Sequence, residues 1–427
     1  MKKVLVSVMA GCVGLSLAAI ADDGRTDVTA KVRDAVNDNV LSIAANNGNF
    51  GDPEPGAAKQ LVVEYQLGDR PGKKMANENT VLEIKGATGQ KLTILKAVYG
   101  VEQEADAGGP APMVFGKTRQ FRPAAKWLDD QGVPISGHSA GMLIHDKVYY
   151  WYGENRTPGK DGGVRCYSSV NLYDWKNEGI VLVASDDPAS LLKRSCTVER
   201  PKVIYNKHTK KFVLWFHSEP KGGYASAEAG VAVSDKPTGP FTMIGSSKPG
   251  GQDSRDQTLF LDDDGKAYHI CASEGNATLH ITRLADDFLK VEGPATKAFP
   301  GRSYEAPAVF KHQGKYYLIA SGCTGWAPNA ARSAVADSIL GPWTELGNPW
   351  RGPEEQLITS FNSQSTYVLP VQGKADALIF MADRWNPNKL HDSRMIWLPV
   401  EWEGDKPVLH WVNEWSLDIF NNKPPVQ

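Results

Sequence analysis

The sequence predicts an all-β protein, and three observations lead to that prediction. Short segments of alternating apolar and polar residues recur between clusters of Gly, Pro and Asn, which is typical of strands separated by turns. The 427 residues include 41 Gly and 27 Pro, so turns are frequent. Beyond residue 132, one pattern of two apolar strands around a polar turn occurs five times. Little helical periodicity separates these strand pairs.

The first 21 residues are predicted to be a secretory signal peptide. A basic start precedes an apolar run from Val4 to Ile20 and a small-residue cleavage site that ends at Ala21. We therefore expect a secreted or periplasmic protein. A lipoprotein processed before Cys12 is the alternative, but little apolar sequence precedes that cysteine. No other stretch reaches the roughly 18 apolar residues of a membrane helix, so no membrane span is expected.

Residues 22–101 are predicted to form a small β-rich accessory domain, whose role the sequence does not indicate. Alternating segments predict strands at 61–65, 81–84 and 92–95, and valines spaced by four predict a helix from Val28 to Leu41. Residues 102–131 begin with a segment poor in apolar side chains, and we expect a linker there.

The chain beyond this predicted signal contains four cysteines, Cys166, Cys196, Cys271 and Cys323. An even number in an oxidising compartment permits two disulfides, in any of three connectivities. Buried free thiols are the alternative. Neither Cys-x-x-Cys nor paired histidines accompany them, so we expect no structural zinc, and we predict no metal and no cofactor.

The five strand pairs predict the architecture of residues 132–427. Their turns fall near Lys147, Lys210, Gly265, Gly314 and Gly373, which are about 63, 55, 49 and 59 residues apart. Repeats of about 50 residues built from strand hairpins are typical of propeller blades. We therefore predict a five-bladed β-propeller preceded by the accessory domain.

A polar residue stands before the first strand of every repeat. Counting back nine residues from the turn gives four of them, and Glu199 lies eleven before its longer turn. The other four are His138, Asp256, Glu305 and Gln364. The inner strands of a propeller line one channel, so these positions should meet at one mouth. A single such carboxylate is usually a solvated surface group or a turn cap, but five polar residues in one phase predict a shared pocket.

The residue types in this pocket indicate a chemistry. Glu199, Asp256 and Glu305 would repel one another, so the pKa of at least one should be raised. Glycoside hydrolases use a proton-donating carboxyl group that faces another carboxylate. The 12 Trp of the chain offer flat faces on which sugar rings can stack. The formal net charge of −2 lacks the basic excess of a nucleic-acid binder. We expect a polysaccharide or oligosaccharide substrate.

Longer motifs resemble glycoside hydrolase family 43, and in particular its exo-β-1,3-galactanase branch. The family motifs are QTLFLDDDGKAYHICAS after Arg255-Asp256 and EAPAVF from Glu305; the branch motifs are SGHSAGMLIHDKVYYWYGE, CYSSVNLYDWKNEGIVL, VERPKVIYN, SGCTGWAPN and DRWNP. The resemblance covers about residues 121–420. It does not extend to the predicted accessory domain.

The resemblance implies a five-bladed propeller and an inverting mechanism, with Glu305 as general acid and Asp256 tuning its pKa and orientation. The wider family has an Asp as general base in the first blade, where this chain has His138 and no carboxylate, a departure that the branch shares. Gln364 and Glu199 match pocket residues of the branch. We favour Gln364 as the residue that positions water, and Glu199 as an alternative base or a sugar-binding group.

Motif matches and strand positions add six candidates for sugar binding, which are Glu154, Tyr224, Asn276, Thr324, Trp326 and His138. Trp326 is either a stacking platform or part of blade packing. Glu154 either accepts hydrogen bonds from sugar hydroxyls or is structural. His138 either lines the channel or holds a central cation, but it has no carboxylate companion in its motif.

We therefore predict a secreted exo-β-1,3-galactanase that releases galactose from type II arabinogalactan. A family 43 β-xylosidase or α-L-arabinofuranosidase is the alternative enzyme. A third possibility is a carbohydrate-binding propeller without hydrolytic activity, which the intact Glu305 and Asp256 argue against.

Overall fold

The computed structural model describes residues 26–52, 59–86, 90–100, 109–157 and 162–421. Within these ranges strands far outnumber helices, which confirms the predicted all-β class. The chain divides into two compact units, Met1–Glu104 and Ala105–Gln427. No helix in the described ranges is both long and apolar enough to cross a membrane. The predicted signal peptide and Cys12 lie outside the described residues.

The first unit contains two sheets in its described part. Its elements in chain order are β1 (Thr26–Asp27), α1 (Thr29–Asp34), β2 (Val36–Asn37), β3 (Val40–Ala45), α2 (Asn47–Phe50), β4 (Gln60–Leu67), β5 (Arg70–Asn77), β6 (Thr80–Lys85) and β7 (Leu92–Gly100). One sheet has the order β1-β7-β4-β5 and the other β2-β3-β6. The three predicted strands correspond to β4, β6 and β7.

The helix predicted from Val28 to Leu41 is wrong beyond Asp34. Asp38 and Asn39 adopt positive φ values of 45° and 61° and form the turn between β2 and β3. Asp and Asn tolerate this conformation, and two successive positive φ values suit a tight hairpin. The spacing of the valines therefore did not distinguish a helix from a short helix followed by a hairpin.

Strands make up nearly all of the regular secondary structure described for the second unit. They are β8 (His138–His145), β9 (Val148–Glu154), β10 (Val164–Ser169), β11 (Lys176–Leu182), β12 (Thr197–Asn206), β13 (Lys211–Glu219), β14 (Glu228–Ser234), β15 (Thr242–Ser247), β16 (Gln257–Leu261), β17 (Ala267–Ser273), β18 (Thr278–Arg283), β19 (Thr296–Ala298), β20 (Glu305–His312), β21 (Lys315–Ser321), β22 (Arg332–Ala336), β23 (Thr344–Gly347), β24 (Trp350–Arg351), β25 (Gln364–Pro370), β26 (Leu378–Arg384), β27 (Arg394–Pro399), β28 (Glu401–Glu403) and β29 (Lys406–His410). The helical segments are α3 (Glu354–Leu357) and the 3-10 turns Pro249–Gly251, Leu390–Asp392 and Leu417–Phe420.

These strands form successive antiparallel sheets. β8–β11, β12–β15, β16–β19 and β20–β23 each make a four-stranded sheet, β25–β27 make a three-stranded sheet, and β24, β29 and β28 make a further small one. All five predicted hairpins are present. The first strands contact one another in the order β8, β12, β16, β20 and β25, and β25 contacts β8 again. The inner strands therefore close on themselves.

Most of these inner strands are bulged just after they begin. The register shifts after His138 in β8, after Glu199 in β12, after Glu305 in β20 and within β25. Ser139, Arg200 and Ala306 have φ values of 55°, 53° and 51°. A bulge changes the direction of the side chains around it. Successive side chains at the start of a bulged strand therefore need not point to opposite faces of the sheet.

Most of the predicted linker belongs to the second unit. Residues 101–108 lie outside the described part, but Met113, Phe121 and Trp127 are buried in the core of this unit. Phe121 exchanges both backbone hydrogen bonds with Trp415, at 2.7 and 3.0 Å, and the two rings stack with centroids 4.3 Å apart. These apolar residues are widely spaced without strand periodicity, so no periodic pattern predicts their burial.

The four cysteines that the structure describes are free. Cys166, Cys196 and Cys271 are buried, and Cys323 is exposed. The alternative of free thiols therefore holds and the two-disulfide alternative does not.

Candidate active site

A cavity of about 240 Å³ lies where the inner strands begin. It is lined by Ser139, Glu154, Glu199, Arg200, Tyr224, Arg255, Asp256, Asn276, Glu305, Cys323, Gly325, Trp326, Gln364 and Trp385. Eight of the ten residues selected from the sequence are in this lining, and His138 and Thr324 are the exceptions. The polar residues at the starts of different sheets are thus brought together, as the repeat phase predicts.

Glu305 is the carboxyl group best suited to donate a proton. It begins β20, and its Oε1 accepts a hydrogen bond from Asn276 Nδ2 at 2.8 Å. Burial raises the pKa of Glu305 to about 7, and the negative charge of Asp256 adds to this effect. A carboxylic acid with this pKa keeps about half of its molecules protonated at pH 7 and more below it, and a general acid must be protonated.

Arg200, which lies in β12, connects the carboxylate beside Glu305 to β25. Its side chain is almost fully buried, and Nη2 lies 2.9 Å from Asp256 Oδ2. The same guanidinium donates to Gln364 Oε1 at 2.5 Å and to the Ser365 carbonyl at 3.1 Å. Sequence reasoning missed Arg200, although it directly follows Glu199 in the quoted motif VERPKVIYN.

The hydrogen bonds of Gln364 define what its amide can do. Oε1 accepts from Arg200 and from Trp385 Nε1, the latter at 2.9 Å, and Nε2 donates to Ser321 Oγ at 3.0 Å. Arg and Trp side chains only donate, so the atom that faces both must be the oxygen. Both lone pairs of that oxygen are occupied, and the amide can offer a bound water one N–H but no acceptor.

Glu199 lies in a buried network of charges. Its Oε1 accepts from Tyr224 Oη at 2.7 Å and from Arg156 Nη2 at 3.2 Å, and Oε2 lies 3.1 Å from His217 Nδ1. Burial acts to raise the pKa of Glu199, but His217, Arg156 and Tyr224 outweigh it and lower the pKa to about 2. Glu199 is therefore ionised throughout the working range of pH, and Oε2 keeps one lone pair.

Atoms of Glu199, His217 and Asp256 lie within 4.8 Å of one another, which is close enough to share a metal ion. A metal needs a neutral imidazole nitrogen as its ligand. Both ring nitrogens of His217 face carboxylates instead, Glu199 at 3.1 Å and Glu219 at 3.0 Å. Although burial opposes it, these carboxylates raise the pKa of His217 to about 9. The donor set fits an ion-pair network and does not fit a metal site.

Glu154 is held by a neighbouring arginine. Arg156 donates to Glu154 Oε2 from Nε at 2.8 Å, and the backbone N–H of Arg200 donates to Oε1 at 3.3 Å. Arg156 therefore bridges Glu154 and Glu199, which both line the cavity. Sequence reasoning also missed Arg156, which lies just beyond the end of β9.

His138 does not line the cavity, contrary to the prediction. Its side chain is fully buried, with Nδ1 3.5 Å from Asp383 Oδ1. The bulge that follows His138 turns the next residue, Ser139, toward the cavity instead. The repeat phase identified the correct strand end but not which of two adjacent side chains faces the substrate.

Thr324 also lies outside the cavity. Its hydroxyl donates to the Ala327 carbonyl at 2.6 Å and accepts from Asn329 Nδ2 at 2.7 Å, so it stabilises its own loop. The preceding residue, Cys323, lines the cavity in its place.

Two tryptophans form one wall of the cavity. Trp326 is 43% exposed, and its ring meets that of Trp385 edge-on with centroids 5.5 Å apart. An adjoining cavity of about 460 Å³ shares both rings and Gln364. An exposed indole face beside hydrogen-bonding carboxylates is suited to a sugar ring, which has apolar faces and polar edges.

A protonated carboxyl beside a carboxylate, in a small polar cavity with an aromatic wall, is the arrangement by which enzymes cleave glycosidic bonds. The protein is a glycoside hydrolase. The sequence model of the family described as glycosyl hydrolases family 43 matches residues 136–407. The chain belongs to glycoside hydrolase family 43.

Solved structures of known enzymes are similar to this chain. A family 43 β-1,3-galactosidase, BT3683 with galactodeoxynojirimycin, is 42% identical over 70% of this chain and 100% of its own, with a TM-score of 0.66. An exo-β-1,3-galactanase from Phanerochaete chrysosporium, with galactose, is 35% identical over 72% of this chain and 70% of its own, with a TM-score of 0.66. An exo-β-1,3-galactanase from Clostridium thermocellum is 36% identical over 70% and 66%, with a TM-score of 0.64.

A curated relative has a different activity. An arabinoxylan arabinofuranohydrolase from Paenibacillus polymyxa is 26% identical in an alignment of 283 positions that covers 54% of this chain. The alignment spans 43% of the length of that relative.

Proposed function

We propose that this chain is a secreted exo-β-1,3-galactanase that releases galactose from the β-1,3-galactan of type II arabinogalactan. The observation that carries the proposal is the position of Glu305, whose pKa is raised to about 7, in a cavity of about 240 Å³ shared with Asp256 and Glu199. The similar galactosidase and galactanase structures support galactose as the sugar.

Two further parts of the proposal concern architecture and location. The cyclic contacts of the inner strands support a propeller of five blades, each blade being one of the sheets that begin with β8, β12, β16, β20 and β25. The composition of residues 1–21 supports export from the cell.

The proposed reaction is a single displacement with inversion. Glu305 donates its proton to the glycosidic oxygen as the bond to the anomeric carbon breaks, and water attacks that carbon from the opposite face. Asp256 is held by Arg200, and its carboxylate charge beside Glu305 favours the protonated form of Glu305. Gln364 orients the water by donating its remaining N–H. Glu199 is ionised and receives the proton that the water loses.

A second candidate is an arabinofuranosidase or xylosidase built on the same fold. The observation in its favour is the arabinoxylan-degrading relative, whose identity of 26% is lower than that of the galactosidase structures.

Product analysis tests the proposed substrate. The purified protein should release galactose from β-1,3-galactan, and proton NMR should show the α-anomer first because the proposed attack inverts the β-linkage. Xylan and arabinan serve as matched controls and should yield no xylose or arabinose. Arabinose or xylose as the main product would establish the second candidate, and initial β-anomer would overturn the single displacement.

The pH dependence of the reaction should follow Glu305. The acid works only while protonated, so kcat/KM should be constant below the pKa of about 7 and fall tenfold per pH unit above it. The lowered pKa of Glu199 predicts no loss of activity by its protonation down to about pH 4. The measurement is kcat/KM on a β-1,3-linked galactobiose between pH 4 and 10. A profile that stays flat up to pH 9 would contradict the assignment of Glu305.

A further inference from the structure

The two oxygens of Glu305 have different surroundings. Oε1 accepts from Asn276 Nδ2 at 2.8 Å and lies 3.4 Å from Cys323 Sγ. Asn276 Nδ2 is also 3.5 Å from Cys323 Sγ, so the three groups form a closed triangle. Among the described residues, none donates a hydrogen bond to Oε2. One oxygen is therefore saturated by the protein, and the other is left for the substrate.

The Cys323 side chain is in the right form to donate. It is a free thiol at an exposed position, and partial desolvation, with the nearby charge of Glu305, raises its pKa above the ordinary value. It therefore stays protonated near neutral pH, and its S–H can point to Glu305 while its sulfur accepts from Asn276. A thiolate is not expected beside this carboxyl group.

We propose that Cys323 is a positioning residue that, together with Asn276, keeps the acidic proton of Glu305 on Oε2. The reason is steric and electronic, since an oxygen that already accepts two hydrogen bonds cannot take a proton without losing one of them. The proton is thereby kept on the oxygen that faces the glycosidic bond. This inference rests on the proposed role of Glu305 as general acid.

The choice of a thiol has a consequence for acidity. A hydrogen bond to the ionised carboxylate lowers its pKa, and a hydroxyl does this more strongly than the weakly donating S–H. Cysteine therefore orients the proton while lowering the pKa of Glu305 less than a hydroxyl would. Removing the donor should make Glu305 a weaker acid, whereas a hydroxyl donor should make it a stronger one.

The test compares Cys323→Ala with Cys323→Ser in pH profiles of kcat/KM on β-1,3-galactobiose. The alkaline limb should move up by about half a pH unit in the alanine variant and down by a similar amount in the serine variant. In the alanine variant kcat should fall roughly threefold to tenfold with KM little changed. Opposite shifts in two variants cannot come from a general loss of stability.

Cys196→Ala is the matched control, because Cys196 is a buried free thiol outside the cavity. Its profile should superimpose on that of the wild type. Identical profiles for the two Cys323 variants and the wild type, or shifts in one direction, would overturn the inference. A wild-type protein that does not hydrolyse β-1,3-galactan, or a fully active Glu305→Gln variant, would instead overturn the proposed function.

Discussion

Replacing Glu305 by Gln should lower kcat on β-1,3-galactan roughly 100-fold to 10,000-fold, the contribution typical of a general acid. The amide has nearly the same shape as the protonated acid and can still accept from Asn276, but it has no proton to give to the departing oxygen. Binding of galactose should be retained. The measurements are initial rates of galactose release and calorimetric titration with galactose.

An aryl galactoside with an acidic leaving group separates chemistry from folding in this variant. Such a leaving group needs little protonation, so its hydrolysis should fall much less than that of galactan. Glu354→Gln, at an exposed position of α3, is the control and should behave as wild type. Galactan hydrolysis at the wild-type rate by the Glu305 variant would remove the acid assignment.

Replacing Arg200 by Met should both destabilise the second unit and disable the site. Arg200 is nearly fully buried and holds Asp256, Gln364 and the Ser365 carbonyl at once. Removing one partner of a buried ion pair costs roughly 3–5 kcal/mol of the free energy of unfolding. Displacement of Asp256 and Gln364 should lower kcat/KM by more than about 100-fold. Urea unfolding and steady-state kinetics measure the two effects.

Two further variants serve as controls for the Arg200→Met variant. Arg302→Met removes an arginine from an exposed pair with Glu345 and should cost less than about 1 kcal/mol. Arg200→Lys keeps the charge but cannot reach several acceptors with one planar group, so it should recover only part of the activity. A fully active Arg200→Met variant would show that Asp256 and Gln364 are held in place by other contacts.

The matching position of polar residues in successive strand pairs predicted the site better than the type of any single residue could. Asp256 directly precedes β16, Glu305 begins β20 and Gln364 begins β25. All three line one cavity. This worked because a polar residue before an apolar strand marks the strand end, and the ring brings strand ends together. His138 failed because the bulge after it turns Ser139 inward.

The partners of the carboxylates were not predictable in the same way. Arg156, Arg200 and Trp385 each contact a predicted residue that is distant in sequence or on another strand. Such contacts depend on where a long side chain points after a bulge or in a loop. The motif SGCTGWAPN predicts a loop at the cavity, but the sequence does not indicate that Cys323 rather than Thr324 lines it. Loop geometry decides which of the two adjacent side chains faces the cavity.

The pairing of Phe121 with Trp415 makes catalysis depend on segments that never touch the sugar. Every residue that lines the cavity lies between Ser139 and Trp385. The pairing joins a residue before β8 to a residue after β29, and so connects the beginning of the unit to its end. Proteolysis or truncation near Phe121 or Trp415 should therefore abolish activity without altering any residue that lines the cavity.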